Sequence, residues 1–385
     1  MTVSGNGSVI GDIDRLASFG SKAAGYALNV SDGSTNGSLS IVFDGAKKKR
    51  SDSPSFFTFH SSLFTFLLMN IVFLDSHGLN PGDMSFAPIE AFGTLTTYPR
   101  TRPEEVIERA KDADVVMLNK VRLGEAEFQQ LPRLRLILVA ATGYDVVDGA
   151  AARRHGITVC NVPAYSTLIV AQHTLALILA ACNHVEHYSA LCREGRWAQS
   201  PDFCFWDRPV RELTGRRIAI VGFGSIGSKV AQILLPLEAE VLAVSSKPQE
   251  ALPQGVRKVT MEEAFRTADV VTLHCPLTVQ NKAFVNAALL ATVRPGLMLI
   301  NAARGGLIND RDVADALRSG QLGCYCADVL SQEPPAPDHP ILSAPNVYLT
   351  PHIAWASLDA RNRLFSVMAD NLKAFLEGGK LNVVN

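Results

Sequence analysis

One short stretch narrows the fold of this chain more than any other. Gly222-Phe-Gly-Ser-Ile-Gly227 directly follows the apolar run Arg217-Ile-Ala-Ile-Val221 and precedes a segment whose pattern predicts a helix over Ser228–Leu235. In a strand–turn–helix setting the first glycine permits the tight turn and the second lets the backbone approach a pyrophosphate. The third lets the helix pack on the strand, and the first-turn amides supply free donors and positive potential. The setting carries the reading, since glycines with this spacing alone are common. It predicts a dinucleotide-binding half in which Gly222, Phe223, Gly224, Ser225, Ile226 and Gly227 form the pyrophosphate loop. The next strand ends as Glu240-Val-Leu-Ala-Val-Ser-Ser-Lys247, with no carboxylate to pair with a ribose diol. Ser245, Ser246 and Lys247 stand there instead, and two hydroxyls with an ammonium suit a 2′-phosphate. NAD(H) and NADP(H) therefore both remain open as the cofactor.

Around that motif, short β-branched runs alternate with helical stretches. Ile71–Leu74, Val115–Leu118, Leu136–Val139 and Thr158–Val162 read as strands, with helices over Pro103–Ala110 and Gly124–Gln130 between them. Pro103 suits a first helical turn. A single long apolar helix is predicted from Thr167 to about Cys192, capped by Ser166. A second series follows, with strands Ile218–Val221, Glu240–Val244, Val270–His274, Met298–Asn301, Cys324–Val329 and Val347–Thr350, and a closing helix over Leu358–Glu377. Such alternation predicts an α/β chain with two doubly wound parallel sheets, flavodoxin-like and Rossmann, joined by long helices. The expected boundaries put residues 69–165 and 353–385 in a substrate (catalytic) domain and 166–352 in the nucleotide domain.

Residues 1–68 read differently. Ser31-Asp-Gly-Ser-Thr-Asn-Gly-Ser38 is too polar to repay the entropy of ordering, so disorder is the expectation there. Lys47-Lys-Lys-Arg50 followed by a Phe/Leu-rich run resembles a leader or anchor, but His60, Ser61, Ser62 and Asn70 interrupt the run. Met69 immediately precedes the first strand, and the upstream segment is read as an extension. The 36 Lys+Arg against 37 Asp+Glu give a net charge of -1, which argues against nucleic acid as a partner. Seven cysteines without a CxxC pair fit reduced thiols in a cytoplasmic protein better than a disulfide framework or a zinc ribbon. No membrane and no metal are expected.

Three late residues have types suited to reducing a 2-oxo acid, each at the passage from strand to loop. Arg304 can grip a carboxylate and polarise the neighbouring carbonyl. His352 can give a proton to the carbonyl oxygen, and a carboxylate beside it, Glu333, favours the imidazolium. Taken singly, each has a bland reading as a surface ion pair or a turn residue.

Together they resemble the D-2-hydroxyacid dehydrogenase family over essentially all of residues 69–385. The matching stretches are Asn301-Ala-Ala-Arg-Gly305, Glu333-Pro334, Pro351-His-Ile-Ala354, Thr142-Gly-Tyr-Asp145 with Asp148, and Asn161-Val-Pro163. By that resemblance Arg304, Glu333 and His352 are catalytic, and Ala141, Thr142 and Gly143 join Arg304 in holding the substrate carboxylate. Cys275 and Pro276 would pass the adenine side of the cofactor, while Ala302 and Asp328 would face it from the strand ends, Asp328 on the nicotinamide side. Ser200-Pro-Asp-Phe-Cys-Phe-Trp-Asp207 and Trp355 resemble the glycerate dehydrogenase/hydroxypyruvate reductase branch. The resemblance implies hydroxypyruvate or glyoxylate as substrate, D-glycerate or glycolate as product, and a homodimer. The alternatives are a phosphoglycerate- or D-lactate-type dehydrogenase, or a nucleotide-gated binding module of the corepressor type on the same scaffold.

Other constellations carry less. His184 and His187 stand three apart with Glu186 between, and a solvated helix face explains them better than a metal. Cys324 and Cys326 point the same way from one strand, as small buried apolar side chains do. His274 and His339 have no assigned role, and Lys120 is a candidate for the substrate cleft.

Overall fold

Five parallel strands open the described chain. They are β1 (Met69–Phe73), β2 (Gly93–Thr97), β3 (Val115–Leu118), β4 (Leu136–Val139) and β5 (Thr158–Cys160), in the order β2-β1-β3-β4-β5. The structure is a computed structural model that describes residues 69–385 throughout. Upstream it gives only the backbone of four short strands in a separate unit, Thr2–Val3 paired with Val9–Ile10 and Ala27–Ser31 with Ser40–Asp44, both antiparallel. Apart from those strands, the reading of residues 1–68 as an extension lies outside the described residues.

The apolar runs become strands because both faces of this sheet are covered. Val116, Leu118, Ile137 and Val139 enter one core and Val115, Met117, Leu136 and Leu138 the other, the period-2 alternation of a strand. Short helices α1 (Ala87–Glu90), α2 (Val106–Ala110), α3 (Glu125–Phe128) and α4 (Gly149–Arg154) connect the strands. Pro103 stands at the first position of the 3-10 turn that leads into α2. Asp148 caps α4, its side chain accepting from the Ala151 amide. Edge strand β2 was missed because only alternate residues are half-buried; Gly93 is required there, as a Cβ would lie 2.2 Å from the Met69 carbonyl oxygen.

The expected long helix is two helices. α5 (Thr167–Asn183) ends at His184, whose backbone is left-handed (φ 51°), and α6 (Val185–Arg193) leaves at an angle of 56°. Nothing in the local apolar pattern signals this break. The His184 ring is held by the Tyr348 hydroxyl at 2.7 Å and the Pro209 carbonyl at 3.2 Å, so contacts distant in sequence end the helix. Ser166 occupies the N-cap position, but its hydroxyl makes no capping bond.

The second sheet is wholly parallel, built of β6 (Arg217–Val221), β7 (Glu240–Val244), β8 (Val256–Lys258), β9 (Val270–Leu273), β10 (Leu297–Asn301), β11 (Leu322–Ala327) and β12 (Val347–Leu349). Its order is β8-β7-β6-β9-β10-β11-β12. Helices α7 (Ser225–Leu234), α8 (Met261–Thr267), α9 (Ala287–Leu290) and α10 (Asp310–Arg318) lie between its strands. α5 packs on this sheet, its Ile178, Ala181 and Cys182 sharing a core with Ile218, Ile220, Cys324 and Cys326. The last helix, α11 (Leu358–Leu376), packs back on the first sheet, burying Leu364, Phe365, Met368 and Leu372 against Ile71, Met117 and Leu138. Truncating Phe365 to Ala would cost about 3–5 kcal/mol. Arg361, also on α11, reaches Asp83 at 2.7 and 2.6 Å and the Leu79 carbonyl at 3.0 Å, which fastens the helix to the loop after β1.

Candidate active site

The glycine turn after β6 is dictated by close contact. Gly222 has φ +95°, and a Cβ on it would lie 2.5 Å from the Cys275 amide nitrogen; a Cβ on Gly227 would lie 2.2 Å from the Gly222 carbonyl oxygen. Gly224 differs, with nothing within 4 Å of a Cβ placed on it. It is the N-cap of α7, which starts at Ser225, three residues before the predicted Ser228, and it provides no side-chain cap. The first-turn N–H groups of this helix are therefore left without a side-chain cap, as an N-terminus that takes a pyrophosphate requires. These residues fit a dinucleotide.

At the end of β7, the Lys247 amide donates to Ser245 Oγ at 3.1 Å and the Lys247 ammonium lies 5.9 Å from the Phe223 ring centroid. Lys258 donates to the Lys247 carbonyl at 2.7 Å. This second cation was not read from the sequence, because the short edge strand β8 that carries it has too little pattern to be recognised. On the other side of β6, burial pushes the Cys275 thiol up and holds the His274 imidazole down at about 4, hence neutral. His274 Nε2 lies 2.9 Å from the Thr272 hydroxyl.

Buried Asn301 shapes the Arg304 loop after β10, its side chain donating to the Arg304 carbonyl at 3.0 Å and accepting from the Ala303 amide at 3.1 Å. Ala302 lies half-buried in this bend. The Arg304 guanidinium donates to the Ala303 carbonyl at 2.8 Å, and its Nη2 is 3.6 Å from where a Gly143 Cβ would stand. Arg304 and the 141–143 loop thus meet, although they come from different sheets. That loop is held by Thr142, which donates to the Val162 carbonyl at 2.8 Å, and by Asn161, which donates to the Thr142 carbonyl at 2.7 Å. Asn371 on α11 in turn donates to the Asn161 carbonyl at 2.9 Å.

Gly305 presses the Arg304 loop against the next one, since a Cβ on it would lie 1.9 Å from the Leu330 carbonyl carbon. From that neighbouring loop Glu333 Oε1 accepts the Leu330 amide at 3.0 Å, and Oε2 lies 2.6 Å from His352 Nδ1. Burial raises the Glu333 carboxyl, but the hydrogen bonds from His352 and the Leu330 amide, aided by the charges of His352 and Lys120, bring it below the usual glutamate range. The carboxylate is therefore ionised beside the imidazole. It engages Nδ1, the ring nitrogen nearer the backbone, and not Nε2.

His352 itself sits in the left-handed region (φ 56°). Asp328, expected on the nicotinamide side, is 2% exposed and its carboxylate is spent on this turn. Oδ1 accepts the Thr350 hydroxyl at 2.6 Å and the Ile353 amide at 2.8 Å, and Oδ2 accepts the Ala354 amide at 2.8 Å.

Sequence reading missed two further features of the site. Asp75, at the carboxyl end of β1, accepts the amides of Asn119, Lys120 and Val121 at 2.7, 2.6 and 3.1 Å. It thereby presents Lys120 with its charge reaching Glu333. The position of Asp75 at a strand end was a usable signal. The second feature is Tyr165, whose ring lies 6.5 Å from that of Trp355. Burial pushes its phenol up to about 12 against the pull of Arg304. No sequence signal singles it out.

The remaining candidates have structural partners. His184 meets Tyr348 and Pro209, and His187 meets Asp207 at 2.8 Å. His339 Nε2 is 3.4 Å from Asp310, which also accepts the Ser331 hydroxyl. Cys324 and Cys326 are buried, with sulfurs 4.0 Å apart. Among the described residues no group of three His, Cys, Asp or Glu side chains could hold a metal, and no single helix is long and apolar enough to cross a membrane.

Comparison with known proteins shows which family the chain resembles. Residues 175–354 match the model of the D-isomer specific 2-hydroxyacid dehydrogenase, NAD binding domain. The chain is 41% identical to a hydroxypyruvate reductase of Blautia hydrogenotrophica over 321 residues, covering 82% of this chain and 100% of that protein. It is 38% identical to a glycerate dehydrogenase of Methylorubrum extorquens over 317 residues, covering 82% and 98%. The crystal structure of the TT0316 protein from Thermus thermophilus superposes with a TM-score of 0.73 at 30% identity, over 82% of this chain and 100% of that one. With its two doubly wound sheets, its glycine turn and the Arg304–Glu333–His352 group, the chain belongs to the D-isomer specific 2-hydroxyacid dehydrogenase family.

Proposed function

We propose that this protein reduces hydroxypyruvate to D-glycerate, and glyoxylate to glycolate, with a nicotinamide dinucleotide and with His352 as the proton donor. The observation that carries the reading is the 2.6 Å contact between Glu333 Oε2 and His352 Nδ1, which fixes the orientation of the imidazole. Arg304, backed by the amides of Ala141–Gly143, binds the substrate carboxylate and draws electron density from the adjacent carbonyl. His352 Nε2 then delivers its proton to the carbonyl oxygen, and Glu333 holds the ring in place throughout. The dinucleotide supplies the hydride when bound. Gly222–Gly227 takes its pyrophosphate on the open first turn of α7, and Ala302, Cys275 and Pro276 line its flanks.

The names of the relatives favour an enzyme over a corepressor-type binding module, and hydroxypyruvate over lactate or phosphoglycerate. Lys247 and Lys258 with Ser245 and Ser246 support acceptance of a 2′-phosphate, so NADPH serves at least as well as NADH. Residues 69–165 with 353–385 form the substrate domain and 166–352 the nucleotide domain. Phe203 and Trp206, 90% and 73% exposed on a loop fastened by a 2.9 Å bond from the Trp197 indole N–H to the Phe203 carbonyl, support a homodimer built on that loop. The free cysteines support a cytoplasmic setting.

Absorbance at 340 nm with hydroxypyruvate, glyoxylate, pyruvate and 3-phosphohydroxypyruvate, each against NADH and NADPH, tests the reading. Turnover fastest with hydroxypyruvate is expected. Negligible turnover with every acid would instead identify a binding module.

A further inference from the structure

His352 holds a left-handed backbone conformation (φ 56°) that is unfavourable for a non-glycine residue and persists only where its surroundings over-determine it. The His352 amide donates to the Asp328 carbonyl at 2.8 Å and to the Thr350 carbonyl at 3.0 Å, and the two following amides donate to the Asp328 carboxylate. The orientation of that carboxylate therefore sets the turn. Its third hydrogen bond, from the Thr350 hydroxyl at 2.6 Å, is the only one of the three that comes from a side chain.

Thr350 has one hydroxyl proton, and Asp328 takes it. Thr350 Oγ1 can then only accept, and the group facing it is His173 Nε2, at 2.9 Å. His173 must carry its proton on Nε2, because the other neutral tautomer would set two lone pairs against each other. The same Nε2 lies 3.6 Å from Asp328 Oδ1, with the histidine side chain 18% and the aspartate side chain 1% exposed. His173 belongs to α5, the helix leading from the first sheet onto the second. Hydrogen bonds thus link His173 through Thr350 to the Asp328 carboxylate, which also accepts the amides of Ile353 and Ala354 beside His352.

We infer that His173 is a positioning residue for the proton donor: through Thr350 it locks the Asp328 carboxylate, and so fixes the turn that sets the His352 imidazole against Glu333. This inference rests on the acid/base reading of His352. Its role is to hold geometry, and His173 itself does not touch the substrate.

The test pairs each disruptive variant with a conservative one. His173→Leu and Thr350→Val remove the donor and the relay; His173→Gln and Thr350→Ser retain them, because a glutamine amide reaches about as far as imidazole Nε2. Three measurements are made on all four purified proteins: kcat and KM with hydroxypyruvate, the dissociation constant of the dinucleotide by calorimetry, and the His352 ring resonances in the apoprotein. For the disruptive pair, kcat is expected to fall about 10- to 100-fold with a larger isotope effect from deuterated reduced dinucleotide. Their dinucleotide dissociation constants should stay within about twofold and their His352 resonances should shift or broaden. The conservative pair should behave like the parent. Unchanged kcat and His352 resonances in His173→Leu would overturn the inference, as would His173→Gln being as damaged as His173→Leu. Shifted resonances with unchanged kcat would support the positioning and overturn the acid/base reading instead.

Discussion

Two turns at the carboxyl edge of the nucleotide sheet require left-handed backbone, and they reach it by opposite means. The turn after β6 does so by omission, with glycine at Gly222 and no room for a Cβ beside Cys275. The turn after β12 does so by construction, where His352 is held at φ 56° by hydrogen bonds from its own amide and the next two to Asp328 and Thr350. A turn built by omission can serve any ligand that needs bare backbone. A turn built around a side chain delivers one functional group to one place. The first suits a pyrophosphate and the second a proton donor.

The contrast predicts that damage to the two turns separates cleanly. His352→Ala should lower kcat about 1,000-fold or more while dinucleotide binding, followed by calorimetry, stays within about twofold. Gly222→Ala should act the other way, with dinucleotide affinity about 100-fold weaker and a Tm several degrees lower, since a Cβ at φ +95° would stand 2.5 Å from the Cys275 amide nitrogen. Comparable losses of affinity in both variants would break the distinction between the turns.

Arg304→Lys should raise the KM for hydroxypyruvate about tenfold with a smaller loss of kcat, because one point charge replaces a planar fork. An unchanged KM would remove Arg304 from the carboxylate. Glu333→Gln sharpens the pH side of the comparison. Glu333 titrates below the usual glutamate range, so its support for His352 is complete above that range and lost only as pH falls through the depressed value. The parent should hold its kcat to lower pH than an ordinary glutamate would permit, and Glu333→Gln should lack that acid limb while losing about tenfold in kcat at neutral pH. Lys247→Ala should have the smallest effect, shifting the NADPH/NADH ratio of kcat/KM about threefold toward NADH, since the charge is exposed and Lys258 lies beside it.

Legibility in the sequence followed from how local each device is. The glycine turn, the parallel-strand runs and the identities of Arg304, Glu333 and His352 could be read because each depends on residue type at short spacing. The break at His184 could not, since Tyr348 and Pro209 supply it from far along the chain. Asp328 was legible as a strand-end carboxylate but not as the anchor of the His352 turn, because the amides it binds are about 25 positions away. Strands β2 and β8 escaped notice because edge strands bury too little to leave a pattern.

By itself, then, the sequence determined the class of fold, the nucleotide turn and the set of chemical groups, because hydrophobic period and residue type act over a few residues. Tertiary structure alone decided that Arg304 meets Gly143 across two sheets, that Gly305 presses the Arg304 and Glu333 loops together, and that His352 stands 2.6 Å from Glu333. Those distances depend on how the strand ends align in space. Orientation and hydrogen-bond direction are set by three-dimensional packing, which spacing along the chain does not encode.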